Sequence, residues 1–178
     1  MGRDKALLSH AGQSQLAYIA GLLDKAVSRV FVSARADQAD DSERARFDQI
    51  LDRYQDLGPL AGILSAMDEH PDVDWLVVAC DLPNVDAATL EYLVANRSPN
   101  RPFTAFRSSR DGLPEPLCAI YRPGSAEIIR TFVAEGIVCP RKMLIRSDTH
   151  LLDQPNPVAL DNINTPEDLE ASVLRIAG

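Results

Sequence analysis

Strand and helix patterns alternate along this chain, and the alternation predicts an α/β domain with a mostly parallel central sheet. The clearest strand is DWLVVACD (74–81), a continuous apolar run ending in an acid, as expected of a buried parallel strand. With 178 residues the chain is long enough to bury a core of its own, so residues 1–178 are predicted to form a single domain.

The first half of the chain opens with an amphipathic helix over residues 14–26, where apolar residues recur at the helical period. The β-branched and aromatic run RVFVSAR (29–35) predicts a strand. A charged helix is predicted near 39–47, followed by a short apolar piece at 50–51. Pro59 suits the first turn of a helix that carries an apolar stripe.

The second half continues the alternation and adds a pair of strands joined by a polar loop. The predicted elements are a helix at 86–96, strands at 101–107 and 116–122, helices at 124–135 and 140–146, extended pieces at 149–153 and 157–163, and a terminal helix at 165–178.

The charge balance limits the classes of partner. Eighteen basic and 26 acidic residues give a net charge of −8, which argues against non-specific binding to nucleic acid. No apolar run is long enough to span a membrane, and no leader pattern is seen, so a cytoplasmic protein without membrane contact is expected.

Cysteine and histidine spacing gives no sign of a disulfide framework or a zinc site. Cys80, Cys118 and Cys139 are odd in number and form no Cys-x-x-Cys pair. Each is predicted to be a small buried filler.

Asp81 is the first candidate for chemistry. An acid directly after a buried strand lies at the rim of the sheet, where a magnesium ion with hard oxygen ligands can be held. The alternative is that Asp81 caps the following turn, where Leu82 and Pro83 force the chain to leave the sheet.

The stretch GPLAGIL is the second candidate. Gly58 and Gly62 allow a base or ribose to approach the backbone, and Pro59 sets the entry into the helix. A plain loop-to-helix junction explains the same residues, and the pattern is not that of a P-loop.

Lys5, in the opening MGRDKALL, is the third candidate. A lysine at the entry to a helix can neutralise a phosphate, and the alternative is an ordinary surface lysine.

The order of these motifs resembles one family. MGRDKALL, GPLAG, CDLP, EPLCAIY and NINTPED follow one another as in the MobA-like molybdenum cofactor guanylyltransferases, members of the nucleotidyltransferase superfamily. The resemblance covers essentially the whole chain. It implies a Rossmann-like three-layer fold with a mostly parallel central sheet.

One part of the family pattern is missing. Only residues 1–8 match the family's leading motif, so the first strand and its Gly-Gly loop are expected to be absent from this sequence. A mis-assigned start, a shortened form of the protein, or disordered residues that this sequence does not include would each explain this. The loss of an interior strand would expose unpaired edges.

The resemblance implies transfer of GMP from GTP to the molybdopterin cofactor, with release of pyrophosphate. Asp81 would hold Mg²⁺, and Lys5 would neutralise the triphosphate; both are the catalytic candidates. Nucleotide binding is assigned to Lys5, Asp52, Gly58, Pro59 and Gly62.

The second substrate has its own candidates. Asn162 and Asn164 in DNINTPED suit the pterin or its phosphate, although an Asx-turn before the last helix explains them too. The basic residues Arg141, Lys142 and Arg146 could receive an anion, the alternative being a solvated helix face.

Rival functions stay open from the sequence. One is a related nucleotidyltransferase, either the cytidylyl enzyme for the same cofactor or a guanylyltransferase for a phospho-acid. Another is a catalytically silent nucleotide-binding module, because the glycine loop is absent. Molybdoenzymes or cofactor-delivery proteins are possible partners.

Overall fold

The computed structural model describes residues 9–10 and 13–161. Its helices and strands follow the predicted order closely. They are β1 (Ser9–His10), β2 (Gln13–Ser14), α1 (Gln15–Ala26), β3 (Val32–Ala34), β4 (Gln49–Leu51), α2 (Pro59–Glu69), β5 (Trp75–Val78), α3 (Ala87–Ala95), β6 (Phe103–Arg107), β7 (Pro114–Tyr121), α4 (Ser125–Ala134), α5 (Pro140–Arg146) and β8 (Thr149–Leu152).

The largest sheet has the strand order β5-β7-β6-β8. Strand β7 is antiparallel to both β5 and β6, whereas β6 and β8 are parallel. Three of the four strands therefore run in one direction, in keeping with the predicted α/β class. Strand β7 is reversed because a short hairpin joins it to β6: the backbone N–H of Ser108 donates to the Leu113 carbonyl at 2.8 Å.

Helices cover both faces of this sheet, which gives the three predicted layers. Side chains of β7 alternate between two cores: Cys118 and Ile120 join one, and Ala119 and Tyr121 join the other. The first core also contains Leu90 of α3, and the second contains residues of α2, α4 and α5. Alternation of this kind is the period of two that a strand between two helical layers requires.

The charged segment at 39–47 is not the predicted helix. It forms turns instead, including a short 3-10 helix at Arg44–Arg46. The Asp41 carboxylate accepts hydrogen bonds from the backbone N–H groups of Glu43 and Arg44, at 3.2 and 3.1 Å. Such local side-chain acceptors compete with helical hydrogen bonding, and the prediction of a helix was wrong for this reason.

Strand β5 differs from the predicted buried parallel strand. Among the described strands it pairs with β7 alone, and it does so in antiparallel register. All four of its residues are half-buried, since no strand in the described part of the chain covers its other edge. That edge opens onto a groove shared with β3, which pairs with β4 in a separate parallel sheet.

Two predictions depend on residues at the ends of the chain. The terminal helix at 165–178 lies outside the described residues, and the single domain over 1–178 stays a prediction. Among the described residues no helix is both long enough and apolar enough to cross a membrane.

Candidate nucleotide site

The ends of β3 and β4 present two polar side chains that bind each other. The Ser33 hydroxyl donates to Asp52 Oδ1 at 2.8 Å. The Asp52 backbone N–H donates to the Ala34 carbonyl at 2.9 Å, which fixes the position of Asp52 just beyond β4. The hydrogen bond between Ser33 and Asp52 could not be predicted from sequence spacing alone.

The two glycines at the start of α2 are required for different reasons. Gly58 is the N-cap, with φ 53° and ψ −134°, a conformation that other residues adopt only under strain. Pro59 occupies the first helical turn, as predicted. Gly62 lacks a positive φ; instead, a Cβ at this position would overlap Ser33 Oγ and lie 3.2 Å from Asp52 Oδ1.

A groove of about 740 Å³ joins these residues to Asp81. Ser33, Pro59, Gly62 and Asp81 all line it. Asp81 is half-buried and follows β5 as predicted. The N-cap of the next helix, α3, is Asp86, whose carboxylate accepts from the Thr89 N–H at 2.8 Å.

A smaller cavity of about 120 Å³ shares Ala79, Asp81 and Leu117 with the groove. Its walls include Glu115, Cys118 and Arg141. Arg141 Nη2 donates to Glu115 Oε2 at 2.7 Å, and Arg141 Nη1 donates to Asp111 Oδ2 at 3.2 Å. Two carboxylates thus hold the guanidinium at the cavity. The sequence suggested no chemistry for Glu115, because the pairing depends on how α5 packs against β7.

The predicted basic cluster on α5 does not act as one unit. Lys142 is exposed. Arg146 Nη2 lies 3.6 Å from Glu135 Oε2, and its guanidinium lies 5.4 Å from the centre of the Phe132 ring. Of the three basic residues, only Arg141 lines the cavity beside Asp81.

The three cysteines differ in how far they are buried. Cys118 is buried, and burial raises the pKa of its thiol to about 12, with the nearby Glu115 charge adding to the effect. This thiol therefore stays protonated and acts as the predicted filler. The prediction was wrong for Cys139, which is exposed, and Cys80 is half-buried.

The donor set around Asp81 suits one class of metal ion. The described residues contain no group of three or more His, Cys, Asp or Glu side chains placed to hold a metal. Mg²⁺ commonly binds through one or two carboxylates and completes its shell with water and substrate phosphates. A single rim carboxylate is consistent with that mode and not with a cage made of protein ligands alone.

Three of the predicted site residues cannot be placed. Lys5, Asn162 and Asn164 lie outside the described residues. The structure does bring together Asp81, Pro59 and Gly62 on one groove, with Asp52 joined to them through Ser33 and Gly58 adjacent to Pro59.

Comparisons with known proteins give consistent results. The chain is 36% identical over 168 residues to a molybdenum cofactor biosynthesis bifunctional protein of Synechocystis sp. and spans 48% of that protein's length. It is 33% identical to the molybdenum cofactor guanylyltransferase of Pseudomonas aeruginosa, covering 93% of this chain and 84% of that protein.

The fold has a close counterpart among solved structures. The molybdopterin-guanine dinucleotide biosynthesis protein A of Archaeoglobus fulgidus superposes with a TM-score of 0.79 at 20% identity, covering 99% of this chain and 92% of that one. At this identity the likeness shows the Rossmann-like fold. The model of the MobA-like NTP transferase domain matches residues 1–150. The chain belongs to the family of MobA-like NTP transferase domains.

Proposed function

We propose that this chain is a molybdenum cofactor guanylyltransferase, which transfers GMP from GTP to the molybdopterin cofactor and releases pyrophosphate. Family membership and the names of the relatives support the reaction class. The observation that carries the proposal is the position of Asp81, which lines both the groove with the two-glycine helix start and the cavity with Arg141. One carboxylate therefore lines two adjoining spaces, in which two anionic substrates could bind side by side.

The nucleotide is proposed to bind on the groove side. Gly58, Pro59 and Gly62 form a surface without side-chain bulk, against which the guanine base or ribose can lie. Asp52 is held in place by Ser33 and can accept a hydrogen bond from the nucleotide. Lys5 would neutralise the triphosphate, and this role stays a prediction.

Asp81 is proposed as the residue that holds Mg²⁺. When bound, the ion would neutralise charge on the phosphate oxygens. Asp81 contributes a half-buried carboxylate from the turn that follows β5.

The second substrate is proposed to enter from the smaller cavity. Arg141 would bind its phosphate, because a planar guanidinium matches the geometry of phosphate oxygens. Glu115 and Asp111 orient that guanidinium. Asn162 and Asn164 are proposed to bind the pterin.

The reaction itself needs alignment more than acid–base chemistry. A phosphate oxygen of the pterin forms a bond to the α-phosphorus of GTP, and the bond to the bridging oxygen breaks as pyrophosphate leaves. The attacking oxygen is already ionised, so no proton has to move. The task of the protein is to bring two anions together in line, which residues of the groove and of the adjoining smaller cavity can do.

Replacing Asp81 by Asn tests the proposal. The variant should lose Mg²⁺-dependent release of pyrophosphate by about a hundredfold or more, since removal of one charge-stabilising group typically costs that much. Asp72→Asn is the matched control, because Asp72 is exposed in the turn before β5 and lines neither cavity. The measurement is pyrophosphate formed from GTP and molybdopterin, with circular dichroism to verify folding.

The outcome also separates the rival classes. Turnover by Asp81→Asn equal to that of the wild type would remove the metal site. A wild-type chain that binds GTP but forms no pyrophosphate would instead be a binding module. The cytoplasmic location and the exchange of pterin with cofactor-delivery proteins or molybdoenzymes stay predictions.

A further inference from the structure

The loop at residues 52–58 connects β4 to α2 and carries two residues of the candidate nucleotide site. Asp52 lies at its start and Gly58 at its end, as the N-cap of α2. Asp56 and Gly58 both have a positive φ, of 60° and 53°. A residue other than glycine keeps such a conformation only where the surrounding structure fixes the chain. The contacts that hold this loop therefore determine where Asp52 and Gly58 lie.

The start of the loop is hydrogen-bonded to α2 through a buried serine. The Arg53 backbone N–H donates to Ser65 Oγ at 2.9 Å. The Ser65 hydroxyl in turn donates to the Ala61 carbonyl at 2.7 Å, one turn earlier in the helix. Ser65 is fully buried, so its hydroxyl depends on these protein partners and is held in one orientation. This contact fixes the backbone directly after Asp52.

The middle of the loop is held by Tyr54, whose contacts reach two helices. The Tyr54 hydroxyl donates to Asp68 Oδ2 of α2 at 2.5 Å, and Arg130 of α4 donates to Oδ1 of the same carboxylate. Hydrogen bonding to Tyr54 raises the pKa of Arg130, and the charges of Asp68 and Glu127 add to this effect. The Tyr54 ring packs half-buried against the second core. We call Tyr54, Asp68 and Arg130 the loop anchor.

The loop anchor lies outside the spaces of the candidate site. Tyr54, Asp68 and Arg130 line neither the groove nor the smaller cavity. The connection to the site runs along the backbone instead, since Tyr54 follows Asp52 and Arg53 in the same short loop. A contact of this kind can change how often the site is correctly formed without touching the ligand.

We propose that Tyr54 is a positioning residue for the nucleotide. Its hydrogen bond to Asp68 holds the loop in the conformation that presents Asp52 and Gly58, and Arg130 holds Asp68 from α4. The inference rests on the proposed function, because it requires GTP to bind beside Asp52. When the binding-competent conformation is populated only in part, the apparent affinity falls in the same proportion. Loosening the loop anchor therefore weakens GTP binding although no group that contacts the nucleotide is removed.

Tyr54→Phe tests the inference, since it removes the hydroxyl and keeps the ring. The affinity for GTP with Mg²⁺, measured by isothermal titration calorimetry on the full chain, should fall about tenfold, the value of one hydrogen bond to a charged group. The KM for molybdopterin should stay unchanged, because Tyr54 does not line the cavity with Arg141. Tyr92→Phe is the matched control: Tyr92 is exposed on α3, lines neither space and should bind GTP as the wild type does.

A double-mutant cycle separates positioning from general stability. Asp52→Asn keeps a side-chain oxygen as acceptor and weakens the site that Tyr54 is proposed to position. In that background the loss caused by Tyr54→Phe should be smaller by about threefold or more, because residues that act through one another are not additive. Asp68→Ala removes the acceptor of the Tyr54 hydroxyl and should lower GTP affinity as Tyr54→Phe does. It provides the same test if Tyr54→Phe does not fold.

The possible failures are distinguishable. Equal GTP affinity of Tyr54→Phe and the wild type would overturn the inference and leave the proposed function standing. The same loss with and without Asp52→Asn would also overturn it, since the hydroxyl would then act on stability alone. A wild-type chain that does not bind GTP would overturn the proposed function and this inference together.

Discussion

The close approach at Gly62 ties helix α2 to the ends of β3 and β4. Because Gly62 has no side chain, Ser33 can lie against the helix and still donate to Asp52. The sequence marked Gly58 and Gly62 as a pair but could not distinguish their roles. Gly58 is needed for its backbone angles, a local property, whereas Gly62 is needed for a contact with a distant strand.

Gly62→Ala should therefore destabilise the protein by about 1–3 kcal/mol, the usual range for overpacking. Gly21→Ala is the control: Gly21 lies in α1 with no atom near its would-be Cβ, and alanine there should stabilise by about 0.5–1 kcal/mol. Urea unfolding measures both effects. Adding Ser33→Ala to Gly62→Ala should recover part of the loss, and no recovery would show that the contact with Ser33 is not the cause.

Elements were predicted well where their signal is local. The helix predicted at 86–96 is observed as α3, and Asp86, near its predicted start, is the N-cap. Strand direction and the burial of β5 depend on neighbours that the local pattern does not specify. An apolar run such as WLVV indicates a strand, but whether it lies at a groove depends on what pairs with each of its edges.

Helix α5 separates two arginines that the sequence grouped together. If Arg141 binds the second substrate, Arg141→Ala should raise the KM for molybdopterin about tenfold or more, the value of one charge-assisted hydrogen bond, and leave the affinity for GTP unchanged. Arg146→Ala should change neither, because Arg146 lies against Phe132 and Glu135. Steady-state kinetics with each substrate varied in turn gives the answer. Equal effects of the two replacements would argue against a specific role for Arg141.

At the scale of the whole molecule, the order of the sequence motifs predicted several residues that line the groove of the candidate site. Of the residues that the sequence proposed for the site, Pro59, Gly62 and Asp81 line one groove, and Asp52 is joined to it through Ser33. The second cavity was not foreseen, since Arg141 and Glu115 come from elements whose packing no short motif encodes. Lys5, Asn162 and Asn164 stay predictions.

The preference of the protein for GTP or CTP can be measured as the stabilisation that each nucleotide gives to the folded protein. A ligand that binds only the folded protein at a hundred times its Kd stabilises it by about 2.7 kcal/mol, which for a chain of this size raises Tm by about 5–11 °C. GTP with Mg²⁺ should give such a shift in a thermal melt, and CTP should not. The reverse order would identify the cytidylyl activity instead.

Strand β7 has a consequence for how sites of this kind are recognised. Most strands deliver polar groups to a rim from the residues that come after the apolar run, as β5 does with Asp81. An antiparallel strand has its first residues, and not its last, at that rim. Glu115 accordingly precedes the apolar stretch of β7. Searches for ligand contacts in mixed sheets should therefore look upstream of any hairpin return strand as well as downstream of its neighbours.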